Sequence, residues 1–163
     1  MSKATSQLHL LESTRTGVLA GIVGSTIQTT VGLFIDKVLL PSQHDNNIAP
    51  RLITRIFQKK GEPPNRVRDW SLGTLFHFGY GIGWGCAFGL VRRWTGISSP
   101  LIGGGMALLI YLTAFSRFGA GTKTHTEEHP RRRDWRKQAS LITVAVTYAM
   151  STAVVYDRLA ERS

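Results

Sequence analysis

The sequence predicts an all-α integral membrane protein: four transmembrane helices in a compact bundle, with a short amphipathic helix at the membrane surface. Three observations carry that expectation. Charge is nearly absent from four segments, at about 17–35, 70–91, 96–116 and 138–156, and it crowds the stretches between them. Each quiet segment, wound as a helix at about 1.5 Å per residue, reaches roughly the 30 Å of a bilayer's hydrocarbon core. Each is closed by ionisable residues: Asp36 and Lys37, Arg92 and Arg93, Arg117, and Asp157 with Arg158. All 163 residues then form a single membrane domain with basic loops at 37–69 and 117–137.

Twenty Lys and Arg against ten Asp and Glu give a net charge of +10. In a soluble chain that balance would suggest nucleic acid. Its segregation into membrane-flanking loops points to anionic lipid instead, and the "RRRDWRK" run at 131–137 is read the same way. No nucleic-acid partner is expected. The one cysteine, Cys86, lies inside an apolar run, which excludes a disulfide framework and a cysteine zinc site.

The first span, "GVLAGIVGSTIQTTVGLFI", carries small residues at i, i+4 spacing: Gly17, Gly21, Ser25 and Thr29, beside Ala20, Gly24, Gln28 and Gly32. Its length, and the polar Thr26, Gln28, Thr29 and Thr30, argue against a cleaved signal peptide.

The second span contains "GTLFHFGYGIGWGCAFG", residues 73–89. A phosphate-binding loop needs a strand before its glycines and an amphipathic helix after them. Trp70 on one flank and Arg92–Arg93 on the other supply neither. As a helix, the stretch resolves into a row of Gly73, His77, Gly81, Gly85 and Gly89, and a second small row of Leu75, Gly79, Gly83 and Ala87. Ridges through Tyr80 and Trp84, and through Ile82 and Cys86, separate them. Hydrophobic force does not drive helices together in lipid, so small-residue grooves that let backbones approach do so. This span is expected to be contacted on two sides. Gly103, Gly104 and Gly105 in the third span and Ala145, Ala149 and Ala153 in the fourth offer further small surfaces. The fourth span is expected to be the least hydrophobic.

"EPPNRVRDW" at 62–70 and "EHPRRRDW" at 128–135 echo each other before the second and fourth spans. The echo suggests a 2+2 parallel repeat of helical hairpins, with Trp70 and Trp135 as interfacial anchors and Asp69 and Asp134 suiting the helix dipole. The two long loops hold 14 Lys and Arg, against six in the termini and the short turn. Positive-inside then places the loops in the cytoplasm and both termini outside.

Within the first loop, "PRLITRIFQKKG" is punctuated as a helix by Pro50 and Gly61. Leu52, Ile53, Ile56 and Phe57 share one face and Arg51, Arg55 and Lys59 another, which suits an anionic lipid surface. Arg51, Arg55, Lys59 and Lys60, with Arg131, Arg132 and Arg133, are the expected lipid contacts.

His77 is the sharpest candidate for chemistry, since an ionisable group inside a span is a functional hypothesis. Neutral imidazole could ligate a haem or chlorophyll-type metal against the flat glycine groove. An interhelical hydrogen bond to Gln28, Thr29 or Tyr148 is the simpler role, and Gln28 reads as the same kind of polar glue. "HTEEH", 125–129, matches an H-x-x-E-H zinc pattern. Pro130 disfavours helical geometry at His129, so a metalloprotease is not expected. No metal site and no enzyme are expected from these residues.

The order of "DKVLLP", "APRLITRIF", "FHFGYGIGWGCAFG" and "LIGGGMALLIYL" resembles the YagU-like bacterial inner-membrane proteins over about residues 17–115. The resemblance implies a fold and a location, and no reaction. The fourth span departs from it, since no second His-Gly motif follows Trp135. The expected role is a non-catalytic accessory or scaffolding subunit packed against partner membrane subunits and anionic lipid. A small homo-oligomeric channel or transporter, and a pigment binder through His77, are the alternatives.

Overall fold

The computed structural model describes residues 3–39 and 48–162, and their regular structure is entirely helical. Helix α1 spans Lys3–Leu39, α2 Ile48–Lys59, α3 Arg66–Thr95 and α4 Ser99–Phe115. A single turn, α5 at Ala120–Lys123, and a 3-10 turn at Pro130–Arg132 lead into α6, Trp135–Ala160.

The four long helices alternate in direction. Helix α1 packs along both α3 and α6, and α4 packs along α6. The fourth seam, between α3 and α4, is sparse. At one end Ser13 Oγ meets Tyr156 Oη at 2.8 Å and donates to the Gly89 carbonyl at 3.0 Å, tying α1, α3 and α6. At the same end Ser99 Oγ donates to Asp157 at 2.6 Å and accepts from Arg92 at 3.0 Å. The opposite end gathers the basic loops. Between the ends lies a core of Phe88, Met106, Ile110, Tyr148, Ala149 and Tyr156.

Local chemistry sets the helix ends. Asn65 caps α3 by accepting from the Arg68 amide at 3.0 Å. Gly96, at φ 65°, closes α3 in the left-handed conformation, and Pro100 sits in the first turn of α4. The turn between them is therefore tight, and it forces α4 to run antiparallel to α3.

Three stretches, Leu10–Val38, Ser99–Lys123 and Trp135–Ala160, are long and apolar enough to cross a membrane. Helix α6 is among them, which corrects the expectation that the last span is the weakest. Helix α3 is not, because glycine adds no hydropathy, its ridges carry Tyr80 and Trp84, and its glycine row carries His77. Large apolar side chains face outward on all four helices, including Phe34, Leu75, Leu101 and Val154. A chain immersed in water hides such residues, whereas lipid receives them.

The echoed motifs fold differently. Asp69 is buried and accepts from Thr54 Oγ1 at 2.7 Å, while Asp134 is exposed at the N-cap of α6 without a side-chain cap bond.

Candidate functional site

The close seam between α1 and α3 positions everything else. A Cβ built on Gly21 would stand 2.6 Å from the Gly81 carbonyl oxygen, and one on Gly89 would stand 2.7 Å from that of Ser13. Gly85 meets the backbone of Gly17 and Gly21 just as closely, with Gly21 Cα 2.8 Å from its would-be Cβ. Gly24 turns the other way, to α6, where the Tyr148 ring lies 3.3 Å from its would-be Cβ. Gly73 makes room for α2, with Pro50 N at 2.7 Å.

The second small row does not share this role. Gly79 and Gly83 are exposed, with nothing within 4 Å of a would-be Cβ, and the same holds for Gly104 and Gly105. Of the two sides on which α3 is expected to be contacted, the chain itself covers the Gly81–Gly85–Gly89 face and leaves the Gly79–Gly83 face open. The helical period places residues on a face, but it does not say which face receives a neighbour.

Where the seam ends, His77 Nε2 lies 3.0 Å from Thr29 Oγ1, so the imidazole joins α3 to α1. Ligating a metal through Nε2 would require giving up that contact. Tyr148 donates to the Gly81 carbonyl and locks α6 onto the same point. Gln28 lies beside Thr29, on the wall of a cleft of about 600 Å³. The cleft occupies the space left by the sparse α3–α4 seam, and a Tyr80–Thr113 hydroxyl contact of 3.3 Å bridges it. Tyr80, Trp84, Ile110 and Val144 line its deep part; Asp36, Lys137 and Thr126 line the part near the basic loops.

At the basic end Glu127 is buried, accepting from Arg51 Nη2 at 2.9 Å, with Lys137 Nζ at 3.7 Å. One carboxylate thus fastens α2, the 117–137 segment and α6 together. Sequence reasoning set "HTEEH" aside as a failed zinc motif and missed this role; no local pattern pairs Glu127 with residues so far away. His125 takes φ +56°, and His129 Nδ1 accepts from the Arg131 amide at 3.3 Å. Among the described residues no group of His, Cys, Asp and Glu could hold a metal ion.

Arg133 is also corrected. It is buried, and its Nη1 donates to the Phe115 carbonyl at 2.7 Å, so it closes the end of α4 and does not touch a lipid surface. Arg51 is partly committed to Glu127, while Arg55, Lys59, Lys60, Arg131 and Arg132 remain exposed. Trp70 and Trp135 are exposed at this same end.

Helix α2 finds a bed on the chain itself. Ile53 is buried, Thr54 holds Asp69, and the Arg68 guanidinium lies 3.7 Å above the Phe57 ring. The Thr54 hydroxyl, with lesser help from Arg68 and the Asn65 amide, holds the Asp69 carboxyl below the usual carboxylate range, against the opposing effect of desolvation.

These features define an all-helical membrane-type bundle with a lateral cleft. No family model matches the chain, and neither a curated protein nor a solved structure is significantly similar to it.

Proposed function

We propose that the chain is a four-span, non-catalytic protein of the bacterial inner membrane that serves as an accessory or scaffolding subunit. The span assignment extends to α3 because α1 is apolar enough to cross and α3 follows it from Ser13–Gly89 to Thr29–His77. Sixteen residues of α1 separate those contacts, about 24 Å of helix, most of a hydrocarbon core. The alternating directions fit a repeat of two hairpins, α1–α3 and α4–α6. Positive-inside places the basic loops in the cytoplasm and both termini outside. The resemblance to the YagU-like proteins agrees with this location.

The single observation that carries the accessory role is the outward groove at Gly79 and Gly83, exposed beside a groove of the same kind that α1 fills. Small-residue grooves are the surfaces that helices seek in lipid. Native mass spectrometry of the gently extracted protein tests this reading. A particle containing other membrane subunits, lost in the Gly79→Leu/Gly83→Leu double variant at unchanged monomer stability, supports it. A monomer alone, or an unaltered particle in the double variant, argues against it. A homo-oligomer without other polypeptides would favour the channel alternative.

A further inference from the structure

Polarity changes along the cleft. Its deep wall is mostly aromatic and aliphatic, with Tyr80, Trp84, Ile110 and Val144, interrupted by Gln28, Thr29, His77 and Thr113. Its other end carries Asp36, Lys137, Ser140 and Thr126, next to the basic loops. From Lys137 to Tyr148 the α6 wall rises eleven residues, about 16 Å, which is one leaflet of a roughly 30 Å hydrocarbon core. The volume, about 600 Å³, falls within the range of sites that bury a small molecule. The α3–α4 seam is sparse, so in the membrane placement proposed above the cleft opens sideways to lipid.

The charge selects among amphiphiles. Segments 37–69 and 117–137 hold 14 Lys and Arg against six Asp and Glu, a net +8 of the chain's +10. Arg51 lies between Pro50 and Leu52, both on the cleft wall, and its Nε has no hydrogen-bond partner among the described residues.

We propose that the cleft binds one anionic phospholipid of the leaflet on the basic side, its acyl chain lying between α3 and α4 and its phosphate among the cations at the α2 end. The chain's own helices supply a largely apolar wall one leaflet deep, and the loops flanking its polar end carry most of the chain's excess positive charge. The proposal rests on the membrane placement above, but it needs no partner subunit.

The full chain is reconstituted into vesicles of equal phosphatidylglycerol and phosphatidylcholine, floated on a density gradient, re-extracted in mild detergent and weighed by native mass spectrometry. One phosphatidylglycerol retained per chain is expected, at least tenfold over phosphatidylcholine. Ala114→Phe and, independently, the exposed Thr74→Phe place bulk on the cleft wall and are expected to lower retention at least tenfold. Leu108→Phe, on the outer face of α4, is expected to leave it unchanged. An inserted chain that retains no lipid overturns the proposal. So does one that retains both lipids equally, or one whose retention ignores both Ala114→Phe and Thr74→Phe. A chain that does not float with the vesicles overturns the membrane placement as well.

Discussion

A Cβ built on Gly17 would lie 2.5 Å from the carbonyl oxygen of Gly85, closer than real side chains approach. Residues 68 positions apart thus bring two helix backbones into direct contact. Gly85→Ala would push α1 and α3 apart and is expected to destabilise the bundle by about 1–3 kcal/mol, the usual cost of overpacking. Helix propensity alone would favour alanine by about 1 kcal/mol. Gly83→Ala, two residues away and open, is expected to be neutral or slightly stabilising. Unfolding midpoints in detergent compare the two, and equal effects would show that the seam is not closely packed.

Arg133 closes α4 through the Phe115 carbonyl, one of the four that a helix end leaves without an intrahelical partner. Arg133→Ala is expected to cost about 1.5–3 kcal/mol, the range for a hydrogen bond to a charged group. Arg131→Ala and Arg132→Ala, both exposed, are expected to stay within about 0.5 kcal/mol. Unfolding of the three variants side by side checks the distinction.

Asp69 links α2 to α3, and its carboxyl is held below the usual range chiefly by the Thr54 hydroxyl. A depressed folded value means that the ionised group stabilises the fold above its unfolded value, and that this contribution is lost as pH falls through the folded value. Thr54→Val is expected to raise the Asp69 value, so that α2 undocks at a higher pH on acidification. Thermal unfolding recorded between neutral pH and pH 3 checks this; identical pH profiles for the two proteins would contradict it.

The helices were legible in the sequence because charge marks their ends and apolar runs their middles. The glycine rows were legible as rows, and Gly21, Gly81, Gly85 and Gly89 lie at the α1–α3 seam. Gly79 and Gly83 show the limit, since a helical period is indifferent to where neighbours sit. Arg133 shows another: a run of three arginines reads as one patch, yet the 3-10 turn before it points the third inward. Glu127, Arg51 and Lys137 come from three separate segments, and only the tertiary fold unites them. The cleft follows from a contact that α3 and α4 largely fail to make, which no stretch of either helix announces.

Topology tests the central claim, that α3 crosses the membrane beside α1. In a Cys86→Ala background, single cysteines are placed at Lys60, Arg132 and Ile97, and a membrane-impermeant maleimide is applied to either face of sealed vesicles. The four-span bundle predicts that positions 60 and 132 label from one face and position 97 from the other. Labelling of 97 from the same face as 60 would contradict it.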